Sequence, residues 1–359
     1  MGDGEGAEVT IYDVAAAAGV AASTVSRALS KPGRVSFKTA EHVRRVAAEL
    51  GYRSSRIELP LSQRGTGVLA VVVADIANPV FVGVVRGAER AADQHDLTLA
   101  VVETQESEAV EQRALARLEA TVDGFVLASS RLTDQAIRAV AKRRAVVVLN
   151  RTVGSVPSVV SDNGRAITQA AEHLVGLGHT SIAYLAGPEA SYADGTRWRS
   201  LREAGLELDV RVVRVGPHLP TLRGGGAAAA AWQQRPTTAV IAYNDLMAIG
   251  FIQAVTAAGR RVPADVSVVG FDDIVDAEIV RPPLTTIAAP TVDMGASAVG
   301  HLVSSRRDTA RPSAPDGTTG EPVLLPAWLV VRASTGPAPA PAAAGGSAAR
   351  RAPAPRPTG

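Results

Sequence analysis

The first fifty residues show a pattern of apolar and polar positions that predicts three short helices. Apolar residues recur every three or four positions in three runs, and each run stops at a helix breaker. Thr10 and Asp13 have the spacing of a capping box before the first run, and Gly19 ends that run. Ser23 and Ser36 are candidate N-caps of the second and third helices. The positions expected to be buried are Ile11, Val14, Ala15, Ala18, Val25, Ala28, Leu29, Val43, Val46, Ala47 and Leu50.

Two short helices that are joined by a glycine-containing turn and braced by a third form a helix-turn-helix. The pattern of residues 9–52 therefore predicts this motif.

From Gly67 onward, continuous apolar runs alternate with helical patterns. Such an alternation implies parallel sheets that are covered on both faces, and the number of units favours two doubly wound lobes. Ligands bind such sheets at the carboxyl ends of their strands, which places the expected cleft between the lobes. The strand candidates are Val68–Val73, Thr98–Val102, Gly124–Leu127, Val146–Leu149, Ile182–Leu185, Arg211–Val215, Ala239–Ala242 and Val266–Val269, and the helical patterns include Val82–Asp96, Gly164–Leu177, Gly195–Leu206 and Asp245–Ala258.

Charge separates the two parts of the chain, although the net charge of the whole is only +2. Residues 9–64 carry nine Lys and Arg against four Asp and Glu, whereas residues 65–335 carry 25 against 28. A basic head on a mildly acidic body is typical of a DNA-binding module attached to another domain. A solvated basic face explains the charge equally well when the charge is considered alone.

Cysteine is absent, which excludes disulfides, thiolate metal sites and a cysteine nucleophile. The acidic, glycine-rich start does not have the pattern of a secretory signal, and no apolar run reaches the length of a membrane span. The six histidines are scattered, so no metal site is expected. No catalytic set can be identified from spacing, and no cofactor is expected because Gly65–Ala70 precedes its strand instead of following it.

A series of short motifs, in order along residues 9–335, resembles the LacI/GalR family of bacterial transcriptional regulators. The resemblance implies a helix-turn-helix head on a body like a periplasmic binding protein. It also implies a cytoplasmic homodimer that binds operator DNA, most simply as a repressor, and responds to a small polar effector such as a sugar. The motifs are Val9–Ala15, Ala18–Val20, Ser23–Leu29, Val35–Thr39, Leu50–Tyr52, Asp75–Pro79 with Phe81, Val122–Phe125, Glu172–Leu174, Leu177–His179, Leu185–Pro188, Ala242–Asp245, Val268–Asp273 and Pro283–Thr286.

The resemblance places the second helix of the head in the major groove. Ala22, Ser23 and Arg27 are then nearest the base edges, and an arginine can pair with guanine through two hydrogen bonds. An exposed, solvated charge is the alternative interpretation of Arg27. The remaining candidates are expected to fix register on the phosphates. The full set of candidate DNA contacts is Thr10, Tyr12, Ala22, Ser23, Thr24, Ser26, Arg27, Lys38, Thr39 and Leu61.

Residues 53–65 are expected to form a hinge, in which the resemblance implies a helix that inserts Leu61 into the minor groove. Pro60 stands directly before Leu61, and proline in a helix interior costs about 3 kcal/mol. The hinge helix is therefore expected to be broken or shortened.

The resemblance and the positions after strands together give a candidate effector site. Asp272 and Arg197 can bond neighbouring sugar hydroxyls. The alternatives are that Asp272 and Asn244 cap the following helices, and that Arg199 takes the place of Arg197. The candidate effector-binding residues are Asp75, Asn78, Phe81, Asn150, Arg197, Asn244 and Asp272.

The expected organisation has five parts. Residues 1–8 are a disordered N-terminus, 9–52 the DNA-binding domain, 53–65 the hinge, 66–335 the effector-binding and dimerisation domain, and 336–359 a disordered Pro/Ala-rich tail. A carbohydrate-binding protein without a regulatory role is the alternative function, but it would need export and no DNA module. An enzyme would need a general acid or base in the cleft.

Overall fold

The computed structural model describes residues 10–30, 35–50, 65–308 and 321–340. The chain divides into two compact units, residues 1–65 and 66–359, called here the head and the body. The N-terminus expected to be disordered, the hinge up to residue 64 with Pro60 and Leu61, and the tail beyond residue 340 lie outside the described residues.

The head contains three helices, α1 (Ile11–Ala18), α2 (Ala22–Ser30) and α3 (Phe37–Glu49). The capping box predicted at α1 is confirmed, because Thr10 N donates to Asp13 Oδ2 over 2.7 Å and Asp13 N donates to Thr10 Oγ1. Gly19 ends α1 in the left-handed conformation, with φ +64°. The buried cluster comprises Val14, Ala15, Ala18, Val25, Ala28, Ala40, Val43, Val46 and Ala47.

Two details of the head differ from the sequence-based prediction. Ser23 does not cap α2, because the helix begins at Ala22 and the backbone carbonyl of Ala21 already accepts from Thr24 N and Val25 N. Leu50, expected to be buried, follows the last residue of α3 and is 39% exposed.

The predicted cap at Ser36 is confirmed, since Thr39 N donates to Ser36 Oγ over 3.2 Å.

The N lobe of the body is a six-stranded parallel sheet with helices on both faces. Its strand order is β11-β5-β4-β3-β1-β2. The strands are β1 (Val68–Val73), β2 (Thr98–Glu103), β3 (Gly124–Ala128), β4 (Ala145–Leu149), β5 (Ser158–Ser161) and β11 (Val323–Leu325). The helices are α4 (Val80–Asp93), α5 (Glu108–Leu118), α6 (Asp134–Ala141) and α12 (Thr291–Asp308).

The C lobe repeats this arrangement, with the strand order β12-β10-β9-β8-β6-β7 and only β12 antiparallel to its neighbour. The strands are β6 (Ser181–Leu185), β7 (Arg211–Val215), β8 (Ala239–Ala242), β9 (Ser267–Asp272), β10 (Thr285–Ala288) and β12 (Trp328–Val330). The helices are α7 (Asn163–Gly176), α8 (Tyr192–Glu207), α9 (Leu222–Trp232), α10 (Asp245–Ala257) and α11 (Asp276–Ile279).

The chain passes between the lobes three times, after β5, after β10 and after β11. As a result α12, although it follows the C-lobe strands in sequence, packs on α4 of the N lobe. The two layers of apolar side chains on either face of the N-lobe sheet are both buried, and so is the larger cluster of the C lobe. The carboxyl ends of both sets of parallel strands meet at the space between the lobes.

The ordered part of the C-terminal segment extends past residue 335, where its composition predicted that disorder begins, because Gly336 and Ala338 are hydrogen-bonded to the C lobe. His179 contacts Ser267 Oγ at 3.0 Å and the Gly336 carbonyl at 3.1 Å, and Gly336 N donates to Ser267 Oγ. Ala338 N donates to the Leu177 carbonyl over 2.8 Å. The expectation that disorder begins at residue 336 is therefore wrong for these positions, because specific hydrogen bonds order a segment that buries little apolar surface.

Candidate functional site

A cavity between the lobes brings together five of the seven candidate effector residues. The N lobe contributes Asn78, Phe81 and Asn150, and the C lobe contributes Arg197 and Asp272. This site cavity encloses about 530 Å³, including the space at its open mouth. Ligand sites of small molecules are typically clefts of this kind, with apolar walls and a few convergent polar groups.

Asp272 ends β9 and projects into the site cavity from an unusual backbone conformation, with φ +119°. Its side chain is 9% exposed and makes no hydrogen bond within the described part of the chain. Its ionic contact is with Arg197, whose Nη2 lies 3.8 Å from Oδ1. Burial raises the pKa of Asp272 to about 8, the Arg197 charge lowers it and Asp245 raises it further. The site therefore holds a desolvated carboxyl group that lacks hydrogen-bond donors.

Arg197, on α8, is fixed by its surroundings before any ligand binds. Its Nη1 donates to the Tyr243 carbonyl, and its guanidinium carbon lies 3.4 Å from the centroid of the Phe271 ring and 4.9 Å from that of Tyr243. Its Nε is buried and has no hydrogen-bond partner. Arg199 is exposed and lies outside the cavity lining, so Arg197 is the arginine that faces the site.

The start of α8 is held in place by residues that the sequence pattern did not indicate. Ser191 caps the helix and contacts the Tyr243 hydroxyl at 3.0 Å. Asp194, which is buried, accepts from Tyr184 Oη over 3.0 Å and from Gly187 N over 2.7 Å. These bonds position Arg197 one turn later. The position of Tyr243 directly after strand β8 was the signal that could have identified it.

The N-lobe wall presents amides whose orientation is set by the backbone. Asn150 has φ +56°, and its Oδ1 accepts from Ser161 N and Ser161 Oγ, the latter over 2.8 Å. Asn150 Nδ2 makes no hydrogen bond within the described residues. Asn78 Oδ1 accepts from Val80 N at 3.2 Å. Phe81 and Ser129 complete this wall.

Asp75 and Asn244 do not line the site cavity. Asn244 caps α10, since Met247 N donates to its Oδ1 over 2.9 Å, and its Nδ2 donates to the Pro220 carbonyl over 3.0 Å. Both ends of its amide are therefore occupied, as the capping alternative predicted. Asp75 accepts from Ala77 N in the turn that follows β1.

Asp245, next to Asn244, supports the loop that carries Asp272. Asp245 is completely buried and accepts from Thr286 Oγ1 over 2.6 Å and from Ile274 N over 2.9 Å. Its pKa is raised to about 6 because burial outweighs these bonds.

Among the residues that the structure describes, no group of His, Asp or Glu could hold a metal ion, and no helix is long and apolar enough to cross a membrane.

In the head, some of the candidate DNA-contacting side chains are exposed, whereas others are half-buried or already hydrogen-bonded within the head. Tyr12 is 73% exposed, and the side chains of Ser23, Arg27 and Lys38 are also exposed. The Thr10 and Thr39 hydroxyls are engaged at helix starts, with Thr39 Oγ1 2.7 Å from Ser36 Oγ. Ala22 and Thr24 are half-buried. The Ser26 side chain and Leu61 lie outside the described residues.

Comparison with protein families identifies both units. Residues 10–55 match the family described as bacterial regulatory proteins, lacI family. Residues 66–314 match the family described as periplasmic binding proteins and sugar binding domain of LacI family. The chain belongs to the LacI family. A LacI-family member with an intact helix-turn-helix head and a two-lobed body is a DNA-binding regulator of transcription.

Individual LacI-family proteins match over almost the whole chain. The HTH-type transcriptional regulator DegA of Bacillus subtilis (strain 168) is 32% identical over 341 residues, which cover 92% of this chain and 99% of DegA. The lac repressor dimer bound to operator and the anti-inducer ONPF is 29% identical, with a TM-score of 0.77 and coverage of 91% of this chain and 99% of that one. The complex of the transcriptional regulator CelR with cellobiose is 30% identical, with a TM-score of 0.66 and the same coverage.

Proposed function

We propose that this chain is a repressor that binds a palindromic operator as a homodimer and changes its operator affinity when a neutral sugar binds between the lobes of the body. Asp272 and Arg197 hold the sugar hydroxyls, Asn78 and Asn150 add amide contacts, and Phe81 packs against the ring. The segment of residues 53–65 serves as the hinge that couples the two units.

The observation that carries the proposal is the buried Asp272 carboxyl group without a hydrogen-bond donor. Ionisation of a buried carboxyl group that lacks hydrogen bonds is costly, and a hydroxylated ligand that donates to the carboxylate offsets the cost. Positive φ angles at Ser129, Asn150 and Asp272, all of which line the site cavity, add to this argument. Such conformations cost about 1–3 kcal/mol each and cluster at ligand-binding positions.

Operator binding by the head is supported by the exposed side chains of Arg27 and Lys38 and by the similarity to the operator-bound lac repressor. One helix-turn-helix reads one half-site, so a two-fold dimer reads a palindrome. The lac repressor in the matching structure is a dimer. A cytoplasmic location is part of this proposal because the operator is there.

The experiment selects bound duplexes from random DNA and then titrates sugars into the complex, with fluorescence anisotropy of labelled DNA as the readout. We expect a sugar to change the DNA affinity of the wild type. The Asp272→Asn variant, checked for folding by thermal denaturation, should lose that response. The control Leu206→Ala, at an 82% exposed position of α8, should keep it. A full sugar response in Asp272→Asn would contradict the proposal.

We propose binding without turnover. The charged groups of the site cavity are a carboxyl group and an arginine that contact each other, and the Arg197 guanidinium is also fixed on Tyr243 and Phe271. Incubation of the protein with the sugar that gives a response, followed by chromatography of the sugar, should return it unchanged. Accumulation of a product that depends on Asp272 would favour the enzyme alternative.

A further inference from the structure

Two arginines of the N lobe contact aromatic residues of the C lobe beside the site cavity. Arg151 lies just after β4, and its guanidinium carbon is 5.3 Å from the centroid of the Tyr192 ring. Tyr192 is the first residue of α8, the C-lobe helix that carries Arg197. Arg131 lies in the loop after β3, and its side chain donates a hydrogen bond to that of Tyr243, directly after β8 of the C lobe. We call these two pairs the interlobe contacts.

The N lobe holds both guanidinium groups in place. Arg131 Nε donates to Glu106 over 2.6 Å, and only 3% of the Arg131 side chain is exposed. Arg151 Nη1 donates to the Leu132 carbonyl over 2.7 Å, and its Nη2 donates to Asp134. An arginine that is already oriented loses little conformational entropy when it binds an aromatic ring or a hydroxyl group. The N lobe therefore presents two preformed cationic surfaces to the C lobe.

On the C-lobe side, Tyr243 connects the N lobe to Arg197. The Tyr243 hydroxyl, to which Arg131 donates, also contacts Ser191 Oγ at 3.0 Å, and Ser191 caps α8. The Tyr243 carbonyl accepts from Arg197 Nη1, and the centroid of its ring lies 4.9 Å from the Arg197 guanidinium carbon. Tyr243 thus binds the N lobe through its hydroxyl group and Arg197 through its ring and its carbonyl.

We infer that Arg131 and Arg151 are positioning residues of the effector site, which hold Tyr243 and the start of α8 across the boundary between the lobes and so stabilise the lobe arrangement in which Arg197 faces the site cavity. The inference rests on the proposed function for the role of Arg197. The interlobe contacts themselves do not depend on which ligand binds. An effector that binds one lobe arrangement has its apparent affinity reduced when the fraction of molecules in that arrangement falls.

The first test measures the distance between the lobes in the full-length protein without sugar. The chain contains no cysteine, so Ala116→Cys on α5 and Ala230→Cys on α9, both at exposed positions, give one labelling site in each lobe. Labelled subunits are mixed with an excess of unlabelled ones, so that most dimers carry a single labelled pair. Single-molecule energy transfer then gives the populations of the lobe arrangements. In Tyr192→Leu and in Tyr243→Phe, the equilibrium constant for the wild-type arrangement should fall about three- to tenfold.

Three further variants separate the interlobe contacts from a general loss of stability. Tyr192→Phe keeps the aromatic ring and should keep the wild-type distances. Arg143→Gln breaks an ion pair with Glu119 inside the N lobe, at 2.7 Å, and should also keep them. In Arg131→Gln combined with Tyr243→Phe, both changes remove the same bond, so the double variant should match the larger single effect and not the product of the two.

The second test is calorimetric titration of the same variants with the sugar that changes operator binding of the wild type. Sugar affinity should fall at least by the factor by which the population of the wild-type lobe arrangement falls. Unchanged distances in both Tyr192→Leu and Tyr243→Phe would overturn the inference. Altered distances with unaltered sugar affinity would overturn it as well, because the contacts would then not position Arg197. If no sugar binds to the wild type, the proposed function is wrong, whereas the distances still decide whether the interlobe contacts hold the lobes.

Discussion

The guanidinium carbon of Arg197 lies 3.4 Å from the centroid of the Phe271 ring, so the cation of the site is supported by the residue that immediately precedes Asp272 in β9. Contact between a guanidinium and an aromatic face is favourable, more so when both groups are buried. One strand end thus provides both the carboxyl group of the site and the surface that orients its arginine.

Replacement of that ring should weaken effector binding without unfolding the protein. In Phe271→Leu, an apolar side chain is kept, but Arg197 loses the aromatic face, and we expect sugar affinity to fall about three- to thirtyfold. The matched control is Phe251→Leu, in which a buried phenylalanine of α10 loses its edge-on contact with Trp232. Calorimetry should show a loss of affinity in the first variant only, while thermal denaturation shows comparable losses of stability in both. Equal sugar affinity in the two variants would contradict this role of Phe271.

The raised pKa of Asp272 makes the stability of the free protein depend on pH. Because the folded-state pKa, about 8, lies above the ordinary value of 3.8, the stability contributed by the neutral form is complete below about pH 4 and is lost as the pH rises toward 8. The melting temperature of the wild type should therefore decline over this range relative to that of Asp272→Asn. Parallel profiles of the two proteins would show that Asp272 is ionised at its ordinary pKa.

Sugar binding should show the opposite dependence on pH. Hydroxyl groups that donate to Asp272 favour the ionised form, so binding at neutral pH releases a proton. We expect affinity to rise with pH up to about 8, the pKa of the free site, and to level off above it. Titrations in two buffers with different ionisation enthalpies measure the released proton directly. Asp272→Asn should release none.

Gly187 is predicted to tolerate no side chain, because an added Cβ would lie 2.6 Å from Cγ of Tyr243. In Gly187→Ala, the Tyr243 ring must move, and its backbone carbonyl is the acceptor for Arg197. We expect a loss of about 1–3 kcal/mol in the free energy of unfolding and weaker sugar binding. The control is Gly226→Ala in α9, where an added Cβ meets nothing within 4 Å. That change should be neutral or stabilising, as measured by urea denaturation and calorimetry.

Two cations of the head should affect DNA binding differently. Arg27→Ala should cost about 1–3 kcal/mol at the selected operator and relax its sequence preference, as expected for a base contact. Lys38→Ala should weaken binding to all sequences alike and reduce the salt dependence by about one unit of slope, as expected for a phosphate contact. Anisotropy titrations over a range of salt concentrations, on operator and on scrambled DNA, distinguish the two. A uniform loss in Arg27→Ala would place that residue on the phosphates.

The contact between His179 and the C-terminal segment should weaken in acid. Burial lowers the pKa of His179 below 6.5 and His173 lowers it further, while the hydrogen bond to Gly336 opposes them. Because the folded-state pKa is depressed, the stability is present above the ordinary pKa and is lost as the pH falls through the folded-state value. We expect the melting temperature to decline as the pH falls below about 6.5. The decline should be smaller in His179→Gln, and equal slopes in the two proteins would contradict the assignment.

The sequence predicted eight strands of the body, with the edge strands β2 and β7 among them, and missed four short ones. β1, β7 and β8 were predicted with their exact bounds. β1 and β8 are continuous apolar runs, the pattern of a parallel strand that is buried on both faces, whereas β7 contains two arginines and lies at a sheet edge. β5, β10, β11 and β12 were missed. They are three or four residues long, and they are strands because neighbouring backbones pair with them, which is a property of tertiary structure that a short local pattern does not contain.

The candidate site shows the same limit in a pair of residues. Asn244 and Asp272 both come after apolar runs in the sequence, and each was interpreted either as a ligand contact or as the cap of the following helix. Asn244 has extended backbone, with φ −147°, which is the conformation of a helix cap, whereas φ +119° at Asp272 directs its carboxyl group into the cavity. This difference arises from the loop that Asp245 and Thr286 hold, residues that are near only in the folded protein.

The three passages between the lobes also fix the order in which the protein can be completed on the ribosome. The head helices end at Glu49 and the first five C-lobe strands end at Ala288, but the N lobe lacks α12 and its edge strand until Leu325 has been synthesised. At about 5–20 residues per second, translation from the end of the head to that point takes tens of seconds. Throughout this interval a nascent chain carries the three helices of the basic head without a complete two-lobed body, and β12 of the C lobe follows only after Leu325.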